Sequence, residues 1–231
     1  MTGEEFPYSI SQVRKAGDRI RRAAERGERP SDDDLYLLDV YRASHTPIHR
    51  IVQSRLGVAV ARETINSAEI AIAGRPLKTH EAIIAKLVRE KSRLNRIQDI
   101  AGARVVVTDI AAQELVLQAT LDEFKAQGAA ITKDTRAAPD ALGYRGLHVV
   151  IEIDGRYAEI QIRTRLQGLW AQVVEKADER IGSDLKHGVG DPETLNWLRA
   201  FSDRLQRVEQ GEKIDWATTL EAFLALWIVK D

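Results

Sequence analysis

The chain has 231 residues, enough for one domain or for two closely joined ones with a substantial core. Its 34 Lys and Arg and 35 Asp and Glu residues give a formal net charge of −1, so overall charge does not indicate nucleic-acid binding and an anion site must be local. The sequence has no cysteine, which excludes disulfides and thiolate metal sites. No apolar run approaches the roughly 18 residues of a membrane span and the start lacks a secretory signal, so we expect a cytoplasmic protein with no membrane partner.

The hydrophobic pattern predicts helices towards both ends of the chain and most of the strands in its middle. Ser9 or Ser11 is suited to cap the first helix and Ser31 the second, while Asp154-Gly155 indicates a tight hairpin. The predicted helices are 8–28, 31–56, 62–78 up to the interruption at Gly74-Arg75-Pro76, 79–94, 111–127, 166–181, 192–211 and 214–229. The predicted strands are 103–109, 129–134, 146–153 and 156–164.

This order of elements indicates an α+β fold, with a mixed sheet of four or five strands flanked by helices and with helical extensions at both ends. The predicted division is an N-terminal helical extension over 1–60, a central domain over 61–185 and C-terminal helices over 186–231. The C-terminal helices carry apolar stripes, which predict that they pack on the central domain or form an oligomer interface. A homo-oligomer is therefore one of the expectations.

The segment 157–164 alternates strictly between polar and apolar side chains. One side carries Tyr157, Glu159, Gln161 and Arg163, and the other carries Ala158, Ile160, Ile162 and Thr164. The apolar side predicts a core-facing strand. The polar side is open to two interpretations, an ordinary solvated face or the floor of a site, and for an isolated strand the solvated face is the simpler one.

The helix predicted at 79–94 has a narrow basic stripe. Lys78, Lys86, Arg89 and Arg93 lie within about 80° of one another on a helical wheel, opposite an apolar stripe. Like charges at these spacings repel each other, and a solvated helix normally intersperses acids among them. An ordinary basic face remains an alternative, but a polyphosphate lying along the stripe explains the pattern better.

Two further groups stand near strand ends. Asp99 precedes a glycine that permits tight packing, and Arg104 lies on the strand entered just afterwards. A carboxylate at a strand entrance is suited to Mg²⁺, although a turn residue is the simpler interpretation of Asp99 alone. Tyr144 and His148 have the same strand parity, and an aromatic ring beside a loop is a good platform for a base, although a lone Tyr or His is more often structural.

Five segments together carry a family resemblance. In chain order they read RPLKTHEAIIAKLVRE, RIQDIAGARVVV, GYRGLHVV, AEIQIRT and LWAQ. Their order and spacing over roughly residues 70–180 resemble the RelA/SpoT synthetase domain of stringent-response enzymes, small alarmone synthetases and related toxins. The resemblance implies a nucleotidyltransferase-like fold and a pyrophosphokinase that moves the β,γ-pyrophosphate of ATP onto the 3′-hydroxyl of GDP or GTP, with Mg²⁺ as cofactor.

The same resemblance implies a role for each candidate site residue. Asp99 and Glu159 look like the catalytic acids and metal ligands, and Glu159 alternatively like the base that activates the 3′-hydroxyl. The ATP-binding residues would be Arg75 and Arg104 around the adenine and Lys78, Lys86 and Arg89 along the triphosphate. The acceptor-binding residues would be Tyr144, stacked on the base, with His148, Gln161 and Arg163 beside it. The polar side of 157–163 would then be the floor of the active site.

Several positions depart from the family pattern. Leu142 stands where an Asn contacts the guanine base, Ala82 replaces a Ser that faces the phosphates, and Glu175 stands in an altered motif. The RPLK segment is one residue longer than the family pattern, so Arg75 matches that pattern less well than the other candidate site residues do. The sequence also has no His-Asp dipeptide, which the alarmone hydrolase site needs, so we expect synthesis without hydrolysis.

Two alternatives stay open at this point. A toxin-type relative would modify adenine nucleotides or the 3′-CCA end of tRNA, and it would have an antitoxin partner. The loss of the guanine-contacting Asn and the basic segment 14–29 favour that alternative, and the acids within that segment weaken it. The other alternative is a degenerate nucleotide-binding regulator, against which the retention of both Asp99 and Glu159 argues.

Overall fold

The computed structural model describes residues 6–62, 70–182 and 184–215. Its helices are α1 (Ile10–Glu25), α2 (Asp32–Ala43), α3 (Thr46–Arg62), α4 (His80–Glu90), α5 (Ile110–Glu123), α6 (Arg165–Ile181) and α7 (Pro192–Glu209). Its strands are β1 (Ala71–Gly74), β2 (Ala101–Val107), β3 (Ala130–Asp134), β4 (Leu147–Ile153) and β5 (Arg156–Thr164). In the described residues, no helix combines the length and the apolar character that crossing a membrane requires.

The strands form one five-stranded sheet in the order β1-β2-β5-β4-β3. β2 and β5 pair in parallel, and the other neighbouring strands are antiparallel. The predicted mixed sheet flanked by helices is therefore confirmed. The predicted hairpin is present as well, because β4 and β5 pair from Ile153 and Arg156 at the turn, where Asp154 and Gly155 both have positive φ.

The main core lies between one face of this sheet and helices α3 and α5. Val105 of β2 and Ile160 of β5 are fully buried there against Val52, Leu56 and Val116 of the two helices. These strand positions have the opposite parity to the polar side chains of β5, so one face of the sheet is apolar throughout its central strands. The other face is thereby left for polar residues.

Two smaller clusters place helices beside the sheet. In the first, α1, α2 and α4 pack together through buried residues such as Ile20, Leu38, Ile83 and Leu87. Ser9 caps α1 in a capping box with Gln12, and Ser31 caps α2, as the sequence predicts. In the second cluster, α6 and α7 pack through apolar side chains that include Trp170, Val174, Leu198 and Phe201.

Two of the predicted helices were partly wrong, and parts of two predicted helices lie outside the residues that the structure describes. The helix predicted at 31–56 is broken between α2 and α3, because Pro47 suits the first turn of a helix and not the interior of one. The end of the helix predicted at 62–78 is instead β1, which pairs along the edge of β2 and points Ile72 at the core. Residues 63–69 and nearly all of the helix predicted at 214–229 lie outside the described residues.

Candidate functional site

The centre of the sheet carries a row of polar side chains on the face opposite α3 and α5. Arg104 of β2 pairs with Gln161 of β5, and Gln161 pairs on its other side with His148 of β4. Residues that pair across neighbouring strands project from the same face, so these three side chains lie side by side. Glu159 and Arg163 precede and follow Gln161 on that face. The register therefore brings together five of the residues that the sequence predicts for the site.

This polar face is buried, which contradicts its interpretation as a solvated surface. Glu159, Gln161 and Arg163 are 9%, 6% and 6% exposed. Burying an acid, an amide and a guanidinium costs free energy unless they bond to partners. Gln161 links the other two, because its Nε2 donates to Glu159 Oε2 at 2.7 Å and its Oε1 accepts from an Arg163 nitrogen at 2.9 Å.

Glu159 accepts hydrogen bonds on both carboxylate oxygens. Besides the bond from Gln161, His148 Nδ1 lies 2.9 Å from Oε1 and an Arg75 nitrogen lies 3.4 Å from Oε2. Burial raises the pKa of Glu159, but the bond and charge of His148, the bond from Gln161 and the charge of Arg75 outweigh it and lower the pKa to about 2. The carboxylate is therefore ionised at neutral pH.

His148 connects this carboxylate to Tyr144. Because an ionised carboxylate can only accept, His148 Nδ1 carries the proton that it donates to Glu159. Nε2 of the same ring lies 2.7 Å from the Tyr144 hydroxyl, and the two atoms form a hydrogen bond. That hydroxyl in turn accepts from Arg163 Nε at 3.1 Å. We call the five linked residues the Glu159 network, and its members are Glu159, His148, Tyr144, Gln161 and Arg163.

Arginine side chains crowd the same face. Arg104 is half-buried, and burial followed by the charges of Arg163 and Arg75 lowers the pKa of its guanidinium. Within the described residues, Arg104 Nε and one terminal nitrogen of Arg163 are buried without a hydrogen-bond partner. Burying hydrogen-bond donors without partners beside other cations costs free energy. Binding an anion or the π face of a base would recover part of that free energy.

A second buried carboxylate, Asp99, lies just before β2. Lys78 Nζ and Lys86 Nζ donate to its two oxygens, each at 2.9 Å. Burial raises the pKa of Asp99, but the charges of Lys86 and Lys78 and their hydrogen bonds outweigh it and keep the pKa below its ordinary value. We call these three residues the Asp99 cluster. Asp99 is only three residues before Gly102, so their α-carbons are at most about 11 Å apart.

Gly102 ties the Asp99 cluster to the Glu159 network. Gly102 pairs with Glu159 across β2 and β5, and a Cβ atom at position 102 would overlap the backbone carbonyl oxygen of Glu159. The sequence prediction that this glycine permits tight packing is confirmed. The close approach of the two strands places the start of β2, and with it Asp99, near the carboxylate end of the network.

Arg42 of α2 fixes the segment that carries Lys78. Its Nε donates to the Lys78 carbonyl at 2.7 Å, and a terminal nitrogen reaches the Leu77 carbonyl at 3.4 Å. The Lys78 backbone N–H donates to the Ile100 carbonyl at 2.9 Å, which joins the same segment to the start of β2. Sequence reasoning missed Arg42, because nothing in the local pattern of α2 shows that it reaches residue 78.

The basic stripe does not converge as a whole. Lys78 and Lys86 meet at Asp99, whereas Arg89 pairs with the adjacent Glu90 at 3.2 Å on the helix surface. Arg93 lies beyond the end of α4, because the helix stops at Glu90 and Lys91 takes a left-handed conformation with φ of 47°. Two of the four cations of the stripe therefore meet at Asp99 in this structure.

The comparison with a family model fits this arrangement. Residues 74–178 match the model described as the region found in RelA / SpoT proteins. This part of the chain is a RelA/SpoT-family domain. The match includes Arg75, the Asp99 cluster and every member of the Glu159 network, so the resemblance read from the sequence is confirmed.

Curated relatives extend the likeness beyond the RelA/SpoT domain itself. The uncharacterized protein Rv1366 of Mycobacterium tuberculosis is 31% identical over 184 residues, which are 78% of this chain and 63% of that protein. The GTP pyrophosphokinase YwaC of Bacillus subtilis is 30% identical over 129 residues, which are 50% of this chain and 61% of that protein. The chain thus spans less than two thirds of the length of both relatives.

Solved structures agree on the fold of the domain. The small alarmone synthetase 1 of Bacillus subtilis, bound to its product pppGpp, superposes with a TM-score of 0.58 at 22% identity. That superposition covers 74% of this chain and 93% of the synthetase chain. At this level of identity the likeness establishes the shared architecture, a mixed sheet covered by helices.

The donor atoms of the RelA/SpoT domain suit a magnesium ion that is completed by substrate. Within residues 6–62, 70–182 and 184–215, no three His, Asp or Glu side chains group closely enough to hold a metal by themselves. Mg²⁺ is commonly held by one or two carboxylates together with phosphate oxygens. Asp99 and Glu159 are two such carboxylates, and both are ionised at neutral pH. The donor types present therefore fit such an ion.

The structure explains one departure from the RelA/SpoT pattern. Leu142, at the position of the guanine-contacting Asn, is 5% exposed and packs in the cluster of α6 and α7 with Trp170. From the same loop, Asp140 pairs at 2.9 Å with Lys133 of β3, whose ammonium lies over the Tyr144 ring. Sequence reasoning missed both residues, since Lys133 reaches this loop only through the pairing of β3 with β4.

Proposed function

We propose that this protein is an ATP-dependent nucleotide 3′-pyrophosphokinase that transfers pyrophosphate from ATP to GDP or GTP. The observation that carries the proposal is the pair of buried carboxylates joined through Gly102, one held by two lysines and the other by a histidine. The RelA/SpoT match and the GTP pyrophosphokinase activity of the relative YwaC support it. The product with GDP would be ppGpp, and with GTP it would be pppGpp.

The Asp99 cluster is suited to receive the triphosphate. Lys78 and Lys86 already bind one carboxylate, and the phosphate oxygens of ATP offer them a stronger anionic partner. Their exchange of partner would leave the Asp99 oxygens available. Asp99 and Glu159 would hold Mg²⁺ together with the phosphates, and the ion would supply neutralisation of the charge on the transferred group. Arg75 and Arg104 would flank the adenine.

The Glu159 network is suited to position the acceptor. Tyr144 would stack on the acceptor base, while Gln161 and Arg163 keep Glu159 and Tyr144 in place through the bonds described above. The 3′-oxygen attacks the β-phosphorus, the bond from that phosphorus to the α,β-bridging oxygen breaks, and AMP leaves. Glu159 would orient the 3′-hydroxyl by accepting its hydrogen bond, and the proton passes to the carboxylate only as the bond to phosphorus forms, because a carboxylate with a pKa of about 2 is a weak base. His148 orients that carboxylate.

The arrangement of α1 favours a nucleotide acceptor over tRNA. The basic segment 14–29 suggested a binding patch, but much of its charge is paired with neighbouring acids. The ion pairs are Arg19 with Asp34, Arg21 with Glu25, Arg26 with Glu28 and Arg29 with Asp32. A surface whose cations are already paired releases fewer counterions from a nucleic acid and binds it less tightly.

The deciding experiment incubates the protein with Mg²⁺ and ATP labelled at the γ-phosphate. Parallel reactions contain GDP, GTP, ADP or deacylated tRNA, and a Glu159→Gln variant serves as the inactive control. We expect label on GDP and GTP and a fall of about 10³-fold in the variant. Label on ADP or tRNA instead would indicate the toxin-type activity. Absence of transfer to every acceptor, with ATP still bound, would overturn the proposed function and leave a nucleotide-binding regulator.

A further inference from the structure

The ring of Tyr144 is enclosed by charged and aromatic neighbours. Arg163 Cζ lies 4.9 Å from the ring centroid, and the Trp170 ring centroid lies 6.1 Å away. Both of these side chains are buried, at 6% and 4% exposed. Lys133 Nζ lies 4.5 Å from the centroid, and its side chain is 37% exposed. The ring is therefore reached from solvent on the side that Lys133 covers.

Lys133 is held over the ring by Asp140. The ammonium donates to Asp140 Oδ2 at 2.9 Å, and the Asp140 side chain is 36% exposed. The other carboxylate oxygen, Oδ1, is used differently, because it accepts from the backbone N–H groups of Leu142 at 3.2 Å and Tyr144 at 2.9 Å. Oδ1 thus shapes the loop, while Oδ2 holds the ammonium that lies over the ring.

We propose that Lys133 and Asp140 are the specificity residues for the acceptor base and that they select a base with a carbonyl next to a ring N–H. The inference rests on the proposed function, since it takes the Tyr144 ring as the platform on which the base stacks. A stacking base must move the flexible Lys133 side chain to its rim, where the ammonium and Asp140 Oδ2 become a donor beside an acceptor.

Guanine matches that pair of groups. Its O6 accepts from the Lys133 ammonium, and its N1–H donates to Asp140 Oδ2. Adenine presents the reverse pattern, with a 6-amino donor facing the ammonium and an N1 acceptor facing the carboxylate. Adenine would therefore set a donor against the ammonium and an acceptor against the carboxylate, and it would gain neither of the two hydrogen bonds that guanine makes. The buried Leu142 has no part in this recognition.

The test compares GDP, IDP and ADP as acceptors. IDP keeps the carbonyl and ring N–H of guanine and lacks its 2-amino group. We expect GDP and IDP to have kcat/KM values within a few-fold of each other and ADP to be at least about tenfold worse. In Asp140→Asn, the two backbone N–H groups keep the side-chain oxygen at Oδ1, so the loop is preserved and an amide donor replaces Oδ2. The GDP-to-ADP ratio should fall by about 10- to 100-fold, with the KM for ATP unchanged.

Lys133→Met is a second variant that removes the donor without entering the core, and it should lower the same ratio. Glu114→Gln is the matched control, because it removes one acid from a neighbouring surface ion pair, with Arg136, and should leave the ratio unchanged. A GDP-to-ADP ratio that stays at the wild-type value in both Asp140→Asn and Lys133→Met would overturn the inference. So would a wild-type protein that prefers ADP.

Equilibrium binding separates this inference from the proposed function. GDP and ADP are titrated into the protein saturated with α,β-methylene-ATP and Mg²⁺, so that ADP does not occupy the donor site. A preference for GDP that is lost in Asp140→Asn supports base selection even when no pyrophosphate is transferred, in which case the proposed function fails alone. Equal binding of GDP and ADP, together with measurable transfer, would leave the function in place and overturn the inference.

Discussion

The Asp99 cluster and the Glu159 network each bury one carboxylate, but they neutralise it in different ways. Asp99 is held by two full charges, the ammonium groups of Lys78 and Lys86. Glu159 is held mainly by hydrogen bonds from His148 and Gln161, with an arginine at the longer distance of 3.4 Å. The first arrangement depends on charge, and the second depends on the geometry of β5 and its pairing with β4.

This difference indicates which part changes when substrate binds. An ion pair that faces an incoming polyphosphate can exchange partners, since the phosphate offers the lysines more charge than a carboxylate does. The hydrogen bonds of the Glu159 network run along β5 and from β4 to β5, and both carboxylate oxygens of Glu159 already accept from neighbouring side chains. We therefore expect the Asp99 cluster to rearrange on binding ATP and the Glu159 network to keep its geometry.

Among the substitutions that test this difference between the two carboxylates, Asp99→Asn should have the largest effect on activity. Pyrophosphate transfer should fall by about 10²- to 10³-fold, because one of the two carboxylates suited to Mg²⁺ is lost. Binding of ATP without Mg²⁺ should be unchanged or tighter, because Lys78 and Lys86 lose their competing partner. Calorimetric titration with and without Mg²⁺ measures both effects. Asp39→Asn, which changes an exposed acid on α2, is the control, and weaker metal-free binding in Asp99→Asn would contradict the exchange of partners.

Acid should weaken the Glu159 network in a defined range. The folded protein holds the pKa of Glu159 at about 2, below its ordinary value of 4.5. The ionised carboxylate therefore stabilises the fold fully above the ordinary value, and this contribution, at most about 3 kcal/mol, is lost as the pH falls towards 2. Urea unfolding of the wild type and Glu159→Gln at pH 7, 5, 4 and 3 tests this. The difference in unfolding free energy between the two proteins should shrink as the pH falls. A difference that stays constant would show that ionised Glu159 is not the source of this stabilisation.

A smaller effect is expected from Arg42→Gln. The variant loses the hydrogen bonds to the Lys78 and Leu77 carbonyls, so the KM for ATP should rise by about tenfold. The KM for the acceptor should stay constant, because Arg42 contacts no member of the Glu159 network in the described structure. Arg42→Lys should restore part of the loss, and Arg50→Gln, on the exposed side of α3, is the matched control. Equal changes in both KM values would indicate a general loss of structure instead.

The smallest effect on acceptor choice is expected from Leu142→Asn. This substitution restores the residue type of the family pattern, but the side chain lies in the core of α6 and α7. The melting temperature should fall, because a polar group replaces a buried apolar one, while the GDP-to-ADP ratio should stay within about twofold of wild type. Leu142→Ala provides a second measurement if the Asn variant folds poorly. A higher preference for GDP in Leu142→Asn would show that position 142 reads the base.

Most elements could be predicted because their signals are local. The alternation of 157–164 predicted β5, the Asp154-Gly155 turn predicted its pairing with β4, and Ser9 and Ser31 predicted two helix starts. Strand β1 was predicted as helix, because a four-residue edge strand has too short a pattern to separate from a helix end. Its structure depends on the exposed edge of β2, which is a tertiary feature.

For the candidate site, the sequence by itself determined the residue types and their faces. The parity of β5 placed Glu159, Gln161 and Arg163 together, because side chains alternate along any strand. Only the tertiary structure decided which partners they meet. His148 reaches Glu159 through the pairing of β4 with β5, Arg42 reaches Lys78 from another helix, and Lys133 reaches Tyr144 and Asp140 from the edge strand. Contacts between residues distant in sequence follow from the packing of whole elements, which no local pattern specifies.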